Sequence, residues 1–275
     1  MFSFSKFLSE KLITFGKSAY PKFGHVVIIA GGAGSGKGFQ KSNLFGIEGK
    51  TLDVDALKEL AIKSNKFAAK VKEETGHDLK SFDLRVPENV SKMHEILSNV
   101  FNIVKSNEKT LFASILAAAP DRKPNLIFDV TLKNRSKLES ITRNVKELGY
   151  DSKNIHIVWV VNKVDVAIEQ NQKRSRVVPE EILMDTHEGA ALTMKNILDM
   201  GDKLRQYMDG SIYLTFNAVG VDTEVKKSGR GGSYVKDANY FKVKEQGKPQ
   251  MSSSDLSDEI LKKIKDYVPK VNTWS

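Results

Sequence analysis

A glycine-rich stretch with a single lysine is the part of the sequence whose composition points most directly to chemistry. Residues 31–38 read GGAGSGKG and have the spacing G-x-x-x-x-G-K of a phosphate-binding loop. In such a loop, consecutive backbone N–H groups surround a phosphate, and the lysine is expected to reach the outer phosphates. The predicted nucleotide-binding residues are Gly31, Gly32, Ala33, Gly34, Ser35, Gly36, Lys37 and Gly38.

The residues on either side of this stretch have the order that a phosphate-binding loop requires. Residues 26–29 are VVII, an apolar run typical of a parallel strand that is buried on both faces. Residues 40–44 continue as a helix, whose N-terminus adds its positive end to the loop. A glycine-rich surface turn is the alternative, and the strand–loop–helix order disfavours it.

One position departs from the usual pattern. The residue after the lysine is normally Ser or Thr, whose hydroxyl binds magnesium, but this chain has Gly38. The wording of the segment is similar to the adenylate-kinase loop, and Phe39 stands where that loop has threonine. Metal binding is therefore predicted to depend on water and on carboxylates elsewhere in the chain.

Three aspartates follow predicted strands. Asp53 and Asp55 lie where a short strand near residues 51–54 stops, and Asp129 follows the apolar start of LIFDV at residues 126–130. Ligands bind at the carboxyl edge of an open α/β sheet, so these carboxylates are expected beside the loop. Asp129 has a Walker B type of position and is predicted to hold Mg²⁺. For Asp53 and Asp55, capping of the next helix is the alternative.

A polar segment with three basic residues lies between two predicted helices. Residues 170–179 read QNQKRSRVVP, and we predict a lid at about this range. Arg174 and Arg176 are candidate catalytic residues, because guanidinium groups can close on a transferring phosphoryl group. A solvated, charged helix end is the alternative interpretation.

Residues 162–165 read NKVD and match the guanine-reading motif N-K-x-D of GTPases. GTPases also need Ser or Thr after the loop lysine and D-x-x-G at the metal strand, whereas this chain has Gly38 and DVTL at residues 129–132. We interpret the match as coincidence. A guanine-nucleotide switch that uses Asn162 and Asp165 is kept as an alternative function.

The composition of the chain excludes some kinds of site and favours some kinds of partner. The 275 residues include no cysteine, which excludes disulfides and thiolate metal sites, and no apolar run approaches the ~18 residues of a membrane span. We therefore expect a cytoplasmic protein that has no membrane partner. The net charge of +9 favours anionic partners. The basic segment 226–248 is interpreted as a solvated hairpin, with a nucleic-acid contact as the alternative.

The order of predicted elements indicates an α/β fold with a five-stranded, mainly parallel sheet flanked by helices. We predict an amphipathic helix at residues 1–24 and a core at residues 25–218. The core includes a helical insertion at about residues 76–120, either a cover for a substrate or plain scaffolding. Residues 219–275 are predicted to form a basic loop or hairpin and a C-terminal helix.

Four short blocks together resemble the zeta-toxin family of P-loop kinases, whose core is similar to that of nucleoside monophosphate kinases. The blocks are the loop GGAGSGKG, LDVDALK at residues 52–58, FDVTLK at residues 128–133 and RVVP at residues 176–179. The third block departs from the family pattern, because Val130 replaces a glycine and Lys133 replaces an arginine.

The resemblance implies an ATP-dependent kinase that uses Mg²⁺. It implies Asp55 as the catalytic base, and it points to Asp53, Thr131 and Lys133 for substrate binding. In the family's toxins the acceptor is a UDP-activated amino sugar. For this chain we expect a hydroxyl of a small anionic or nucleotide-like molecule.

Other acceptors and functions stay open. A polynucleotide end or a hydroxyl-bearing modified base would keep the chemistry and change the substrate, and a nucleotide-binding module without catalysis is a further alternative suggested by Gly38. The family includes bacteriophage proteins, so a phage origin and action in the host cytoplasm are expectations. The sequence leaves an antitoxin-like protein partner undetermined.

Overall fold

The computed structural model describes residues 13–227, residues 233–268 and residue 274. Within these residues, seven strands form one sheet. The strands are β1 (Val26–Ala30), β2 (Lys50–Asp53), β3 (Leu126–Asp129), β4 (Ile155–Val161), β5 (Ile212–Phe216), β6 (Thr223–Lys227) and β7 (Ser233–Lys244).

Nine α-helices accompany the sheet in the same part of the chain. They are α1 (Lys37–Leu44), α2 (Val54–Lys63), α3 (Asn65–Thr75), α4 (Pro87–Glu95), α5 (Ile103–Leu116), α6 (Arg135–Glu147), α7 (Val164–Gln172), α8 (Glu180–Leu198) and α9 (Asp258–Tyr267). None of these described helices is long and apolar enough to cross a membrane.

The strand order is β2-β3-β1-β4-β5-β7-β6. Strands β1 to β5 pair in parallel, whereas β7 pairs antiparallel with β5 and β6 pairs antiparallel with β7. The predicted α/β class and mainly parallel sheet are confirmed. The predicted number of five strands is wrong, because the basic segment after β5 adds two strands to the same sheet.

The basic segment joins the sheet because its apolar residues serve both faces. In β7, Ala238 and Tyr240 pack against one apolar cluster, and Phe241 and Val243 belong to the other. The lysines between them conceal this pattern in the sequence. The hairpin interpretation agrees with the β6–β7 pairing, and residues 228–232 lie outside the described residues.

The central strands are covered on both faces, as their uniform apolarity predicts. In β1, Val26 and Ile28 face one apolar cluster, and Val27 and Ile29 face the second. All four side chains are buried. This burial fixes the end of β1, from which the glycine-rich stretch starts.

The predicted helix at residues 1–24 does not extend over its second half, and residues 1–12 lie outside the described residues. The described residues 13–24 are not helical. Ile13 instead donates its backbone N–H to the backbone O of Leu44 at 3.0 Å, and Tyr213 Oη donates to the backbone O of Thr14 at 2.8 Å. Ile13 and Phe15 are buried, so this segment packs on the sheet as an irregular strap.

The helical insertion has its own small apolar centre. Val71 of α3, Leu79, Met93 of α4 and Leu97 form a separate buried cluster. The predicted insertion at about residues 76–120 contains α4 and α5, and α3 joins it through Val71. These helices form a layer beside the edge strand β2.

The C-terminal segment is anchored on the core. Tyr267 Oη donates to Oδ2 of the buried Asp222 at 2.6 Å. Trp274 is buried and stacks on Trp159 of β4, with ring centroids 5.5 Å apart. The described parts of the predicted C-terminal unit are therefore packed against the sheet.

Candidate active site

The glycine-rich stretch connects the end of β1 to the start of α1. Gly34 has φ 74° and Gly36 has φ 88°, both in the left-handed region that favours glycine. A Cβ at Gly34 would lie 2.6 Å from the backbone O of Ala167, and a Cβ at Gly36 would lie 2.0 Å from Nδ2 of Asn217. The conformation of this phosphate loop (residues 31–38) therefore requires glycine at both positions.

Lys37 is the first residue of α1, and its side chain folds back over the phosphate loop. Its Nζ donates to the backbone O of Gly31 at 3.0 Å and of Gly32 at 3.2 Å. The same Nζ lies 3.7 Å from Oδ1 of Asp129. The positive charge is thus held between the loop and a carboxylate, where the phosphates of a nucleotide would lie.

Side chains from other elements bind the backbone of the phosphate loop. The backbone O of Ala33 accepts from Nε2 of His187 at 2.8 Å, and the backbone O of Ser35 accepts from Nδ2 of Asn217 at 2.9 Å. These carbonyl groups are therefore turned toward the protein. The first N–H groups of α1 have no partner within the helix and are available to an anion.

The predicted carboxylates lie at adjacent strand ends. Asp53 of β2 and Asp129 of β3 are register partners, and Asp129 is also the register partner of Ile29 in β1. The structure therefore brings Asp53 and Asp129 together beside the phosphate loop. The backbone of Asp55 lies in the first turn of α2, and its side chain lies outside what the structure describes.

Two neighbouring clefts open at this edge of the sheet. The first has a volume of about 460 Å³ and the second has a volume of about 580 Å³. The residues that line both are Lys37, Asp53, Asp129 and Thr131. The first cleft also contains most of the phosphate loop. Molecules bound in the two clefts would therefore meet at Lys37 and the two carboxylates.

The middle of the chain matches a known protein family. Residues 84–211 match the family model described as zeta toxin. Over these residues the chain is similar to the zeta-toxin family. The matched range contains the blocks at residues 128–133 and 176–179, and the phosphate loop precedes it. The resemblance predicted from the four sequence blocks is thereby confirmed.

One solved structure supports the fold, and two others match less closely. AvrRxo1-ORF1:AvrRxo1-ORF2 with sulphate ions matches with a TM-score of 0.50 and 13% identity over 91% of this chain and 66% of that chain. The same complex with ATP matches with a TM-score of 0.49 and 11% identity, over 91% of this chain and 66% of that chain. The PezAT toxin-antitoxin system of Streptococcus pneumoniae matches with a TM-score of 0.38 and 14% identity, over 71% of this chain and 68% of that chain. No curated protein matched the chain.

The second cleft of this zeta-toxin-like protein is lined by several basic side chains. They are Lys58, His94, Lys133 and Lys137. Nζ of Lys58 lies 2.6 Å from Nδ1 of His94. Because an ammonium group only donates, Nδ1 of His94 is the acceptor. Lys133 forms an ion pair with Asp185.

Thr131 and Lys133 were predicted from the sequence to bind substrate, and both line this cleft. The other three basic residues were not predicted. Lys58 occupies the last position of the block LDVDALK, which was a usable signal. His94 and Lys137 carried none, because they lie on separate helices that only the fold brings together.

The two arginines of the predicted lid have different environments. Arg174 lines the first cleft together with Val178. Arg176 is 5% exposed and lines neither cleft in the part of the chain that the structure describes. A direct role is therefore better supported for Arg174, and the role of Arg176 stays a prediction.

The residues of the NKVD segment are separated by the fold. Asn162 lines the first cleft, and its Nδ2 lies 3.5 Å from the backbone O of Gly34. Asp165 is exposed in the first turn of α7 and does not line either cleft as far as the described residues go. Asn162 thus supports the loop backbone, and the geometry adds nothing in favour of guanine reading.

Several lysines of the basic segment form ion pairs with carboxylates of the same chain. Glu224 lies 3.7 Å from Lys226 and 3.0 Å from Lys236, and the buried Lys244 lies 2.8 Å from Asp209. Pairing of this kind reduces the potential that would attract a phosphate backbone. Nucleic-acid binding stays an untested alternative.

The pair Asp53 and Asp129 fits a Mg²⁺ ion shared with a nucleotide. Mg²⁺ is usually held by one or two carboxylates, with water and phosphate oxygens at the remaining positions. Both carboxylates line the first cleft beside Lys37. Gly38 provides no hydroxyl, so such an ion would take its other ligands from water and phosphates.

Two buried histidines predict a loss of stability in mild acid. Burial lowers the pKa of His187 to about 4 and, with the neighbouring His25 and Lys244, lowers the pKa of His156 to about 3, from an ordinary 6.5. Below pH 6.5 these histidines bind protons in the unfolded chain but stay neutral in the folded chain. The free energy of unfolding therefore falls as the pH falls. At about pH 5 each histidine should cost about 2 kcal/mol.

Urea unfolding at about pH 7.5 and about pH 5 measures this effect. We expect His187→Gln to show a smaller difference between the two pH values than the parent chain, because one of the two histidines no longer titrates. An equal difference in the variant and the parent would contradict the assignment to His187.

Proposed function

We propose that this zeta-toxin-like chain is an ATP-dependent kinase that transfers the γ-phosphoryl group to a hydroxyl of a small anionic or nucleotide-like acceptor. The observation that carries the proposal is the meeting of two clefts at Lys37, Asp53, Asp129 and Thr131. A kinase needs this arrangement, because its two substrates must be held in line on either side of the transferred group.

The first cleft suits the nucleotide. The first N–H groups of α1 have no partner within the helix, and Lys37, the first residue of α1, lines the same cleft. Arg174 lines the same cleft and would neutralise charge on the transferred group. When bound, Mg²⁺ would neutralise charge on the phosphate oxygens near Asp53 and Asp129.

The second cleft suits an anionic acceptor. Lys58, Lys133 and Lys137 line it, and the two carboxylates lie only where it meets the first cleft. A phosphate or carboxylate of the acceptor would be attracted to the lysines and kept away from the carboxylates. The acceptor hydroxyl would then lie near the shared residues, where transfer takes place.

The transfer itself forms one bond and breaks one. The acceptor oxygen bonds to the γ-phosphorus, the bond from that phosphorus to the β–γ bridging oxygen breaks, and ADP leaves. The acceptor proton must go to a base, and we propose Asp55 for this role because the first turn of α2 directly follows Asp53. Thr131 and Lys133 would orient the acceptor.

Phosphorus NMR with ATP, Mg²⁺ and a panel of acceptors tests the proposal. The panel contains sugar nucleotides, nucleosides and oligonucleotides, so a new phosphomonoester signal identifies the acceptor class. Transfer to oligonucleotides alone would favour the nucleic-acid alternative. Turnover of GTP in preference to ATP would favour the guanine-nucleotide alternative.

The Asp55→Asn variant tests the base assignment with the acceptor that the panel identifies. We expect kcat to fall about 10²- to 10⁴-fold, because general base catalysis contributes about that factor. Asp121→Asn, outside both clefts in the described chain, is the control. Parent-like turnover by Asp55→Asn would remove the assignment.

Gly38→Thr tests how the chain manages without the usual hydroxyl. A Cβ at Gly38 would meet nothing within 4 Å, so the backbone has room for a side chain to start there. If Mg²⁺ binds at the loop, one added oxygen ligand should lower the half-saturating Mg²⁺ concentration about tenfold. Gly38→Ala adds the same Cβ without the oxygen and is the matched control. Equal Mg²⁺ dependence in both variants would place the ion elsewhere.

A protein partner is also proposed, at a coarser level. The matched family is that of a toxin, and the AvrRxo1 structure contains two different chains. We therefore propose that this chain binds a protein that controls it. Co-purification of the chain with the product of a neighbouring gene would support this proposal.

A further inference from the structure

His187 and Asn217 reach the phosphate loop from elements that lie far away in the sequence. His187 is in α8, 154 positions from Ala33, and Asn217 follows β5, 182 positions from Ser35. Both side chains are only 3% exposed. Neither residue belongs to any sequence block of the phosphate loop.

His187 and its neighbour hold both polar backbone groups of one loop residue. Nε2 of His187 donates to the backbone O of Ala33 at 2.8 Å, and the backbone N–H of Ala33 donates to Oγ1 of Thr186 at 3.0 Å. The histidine ring also packs against Gly32, where a Cβ would lie 2.1 Å from the ring. Two consecutive residues of α8 therefore fix the position of the loop at Ala33.

Asn217 holds the loop two residues further on. Its Nδ2 donates to the backbone O of Ser35 at 2.9 Å, and its Oδ1 accepts from Nε2 of Gln40 in α1 at 3.0 Å. The bond from Gln40 sets which way the amide faces, so that the N–H side is directed at the loop. The end of β5 is thereby linked to both the loop and the helix that follows it.

We propose that His187 and Asn217 are positioning residues, which hold the phosphate loop in its nucleotide-binding shape before a nucleotide arrives. A loop whose carbonyl groups are bound by the protein keeps its remaining N–H groups directed toward a phosphate. Such preorganisation lowers the entropic cost of binding. The benefit to ATP rests on the proposed function, whereas the shape of the empty loop does not.

Removal of either donor tests the proposal. We expect His187→Leu and Asn217→Ala to increase the amide hydrogen exchange of residues 31–37 in the nucleotide-free protein. We also expect each to raise the Kd for ATP about 10- to 100-fold, since ATP binding must then order a loop that the protein no longer holds in place. His187→Gln keeps an N–H at the position of Nε2, so it should restore both measurements toward those of the parent chain.

Val145→Ala is the matched control. Val145 is buried in α6 and belongs to a core cluster, so the variant loses stability without contacting the loop. Its loop exchange and Kd should stay at the parent values. If His187→Leu does not fold, Asn217→Ala and His187→Gln still decide the question.

Unchanged exchange of residues 31–37 in His187→Leu and Asn217→Ala would overturn the inference. This measurement needs no nucleotide, so its result stands whether or not the parent chain binds ATP. Failure of the parent chain to bind ATP would contradict the proposed function instead.

Discussion

Replacement of Lys37 by methionine is expected to lower kcat for phosphoryl transfer about 10²- to 10³-fold, the usual effect of removing one preorganised donor at a site of developing charge. The Lys37 Nζ is bound by the carbonyl groups of Gly31 and Gly32 and faces Asp129 at 3.7 Å. The charge is therefore already in place before transfer. Methionine keeps the length of the side chain and removes the charge.

Steady-state kinetics with the acceptor identified by NMR would measure this effect. Lys41→Met is the control, because Lys41 lies one turn further along α1, and its Nζ contacts Oγ1 of Thr51 at 3.5 Å. It should retain parent turnover. If Lys37→Met and Lys41→Met have the same kcat, the lysine of the loop does not stabilise the transferring group.

The Asp129→Asn variant is expected to have the second large effect. We expect kcat to fall about 10²-fold and the Mg²⁺ requirement to rise, because a neutral amide is a poorer ligand for Mg²⁺ than a carboxylate. Asp129 is the register partner of both Ile29 and Asp53, so the change acts where three strands end together. The variant also loses the negative charge that faces Nζ of Lys37.

Titration of activity with Mg²⁺ would distinguish the loss of a Mg²⁺ ligand from the loss of the charge that faces Lys37. Asp165→Asn is the control, because it removes the same charge from an exposed residue that lines neither cleft in the described chain. It should change neither kcat nor the Mg²⁺ requirement. A loss of kcat in Asp129→Asn that excess Mg²⁺ restores would assign Asp129 to the metal. A loss that Mg²⁺ cannot restore would assign it to positioning Lys37.

The helical layer that follows β2 in the chain borders the proposed acceptor cleft. It contributes His94 of α4 to the second cleft, where Lys58 of the preceding helix α2 lies beside it. Its apolar centre is separate from the two clusters that cover the sheet. We therefore expect substitutions on the cleft side of this layer to act on the proposed acceptor site rather than on the phosphate loop.

The sequence by itself determined the parts of this protein that depend on neighbouring residues. The phosphate loop needs glycine at the left-handed Gly34 and Gly36, and this requirement is local. The buried strands read as continuous apolar runs, and the carboxylates at their ends follow from strand direction. For these reasons the α/β fold and the positions of Lys37, Asp53 and Asp129 could be predicted.

The tertiary structure alone decided what depends on residues far apart in the chain. The hydrogen bonds from His187 to Ala33 and from Asn217 to Ser35 span more than half of the chain and have no local pattern. The same holds for the convergence of Lys58 and His94. The hairpin was predicted from the sequence but its place in the sheet was not, because the lysines of β7 conceal its apolar residues, and only pairing with β5 buries them. Local sequence specifies backbone shape, whereas burial and side-chain contacts arise only when distant elements pack together.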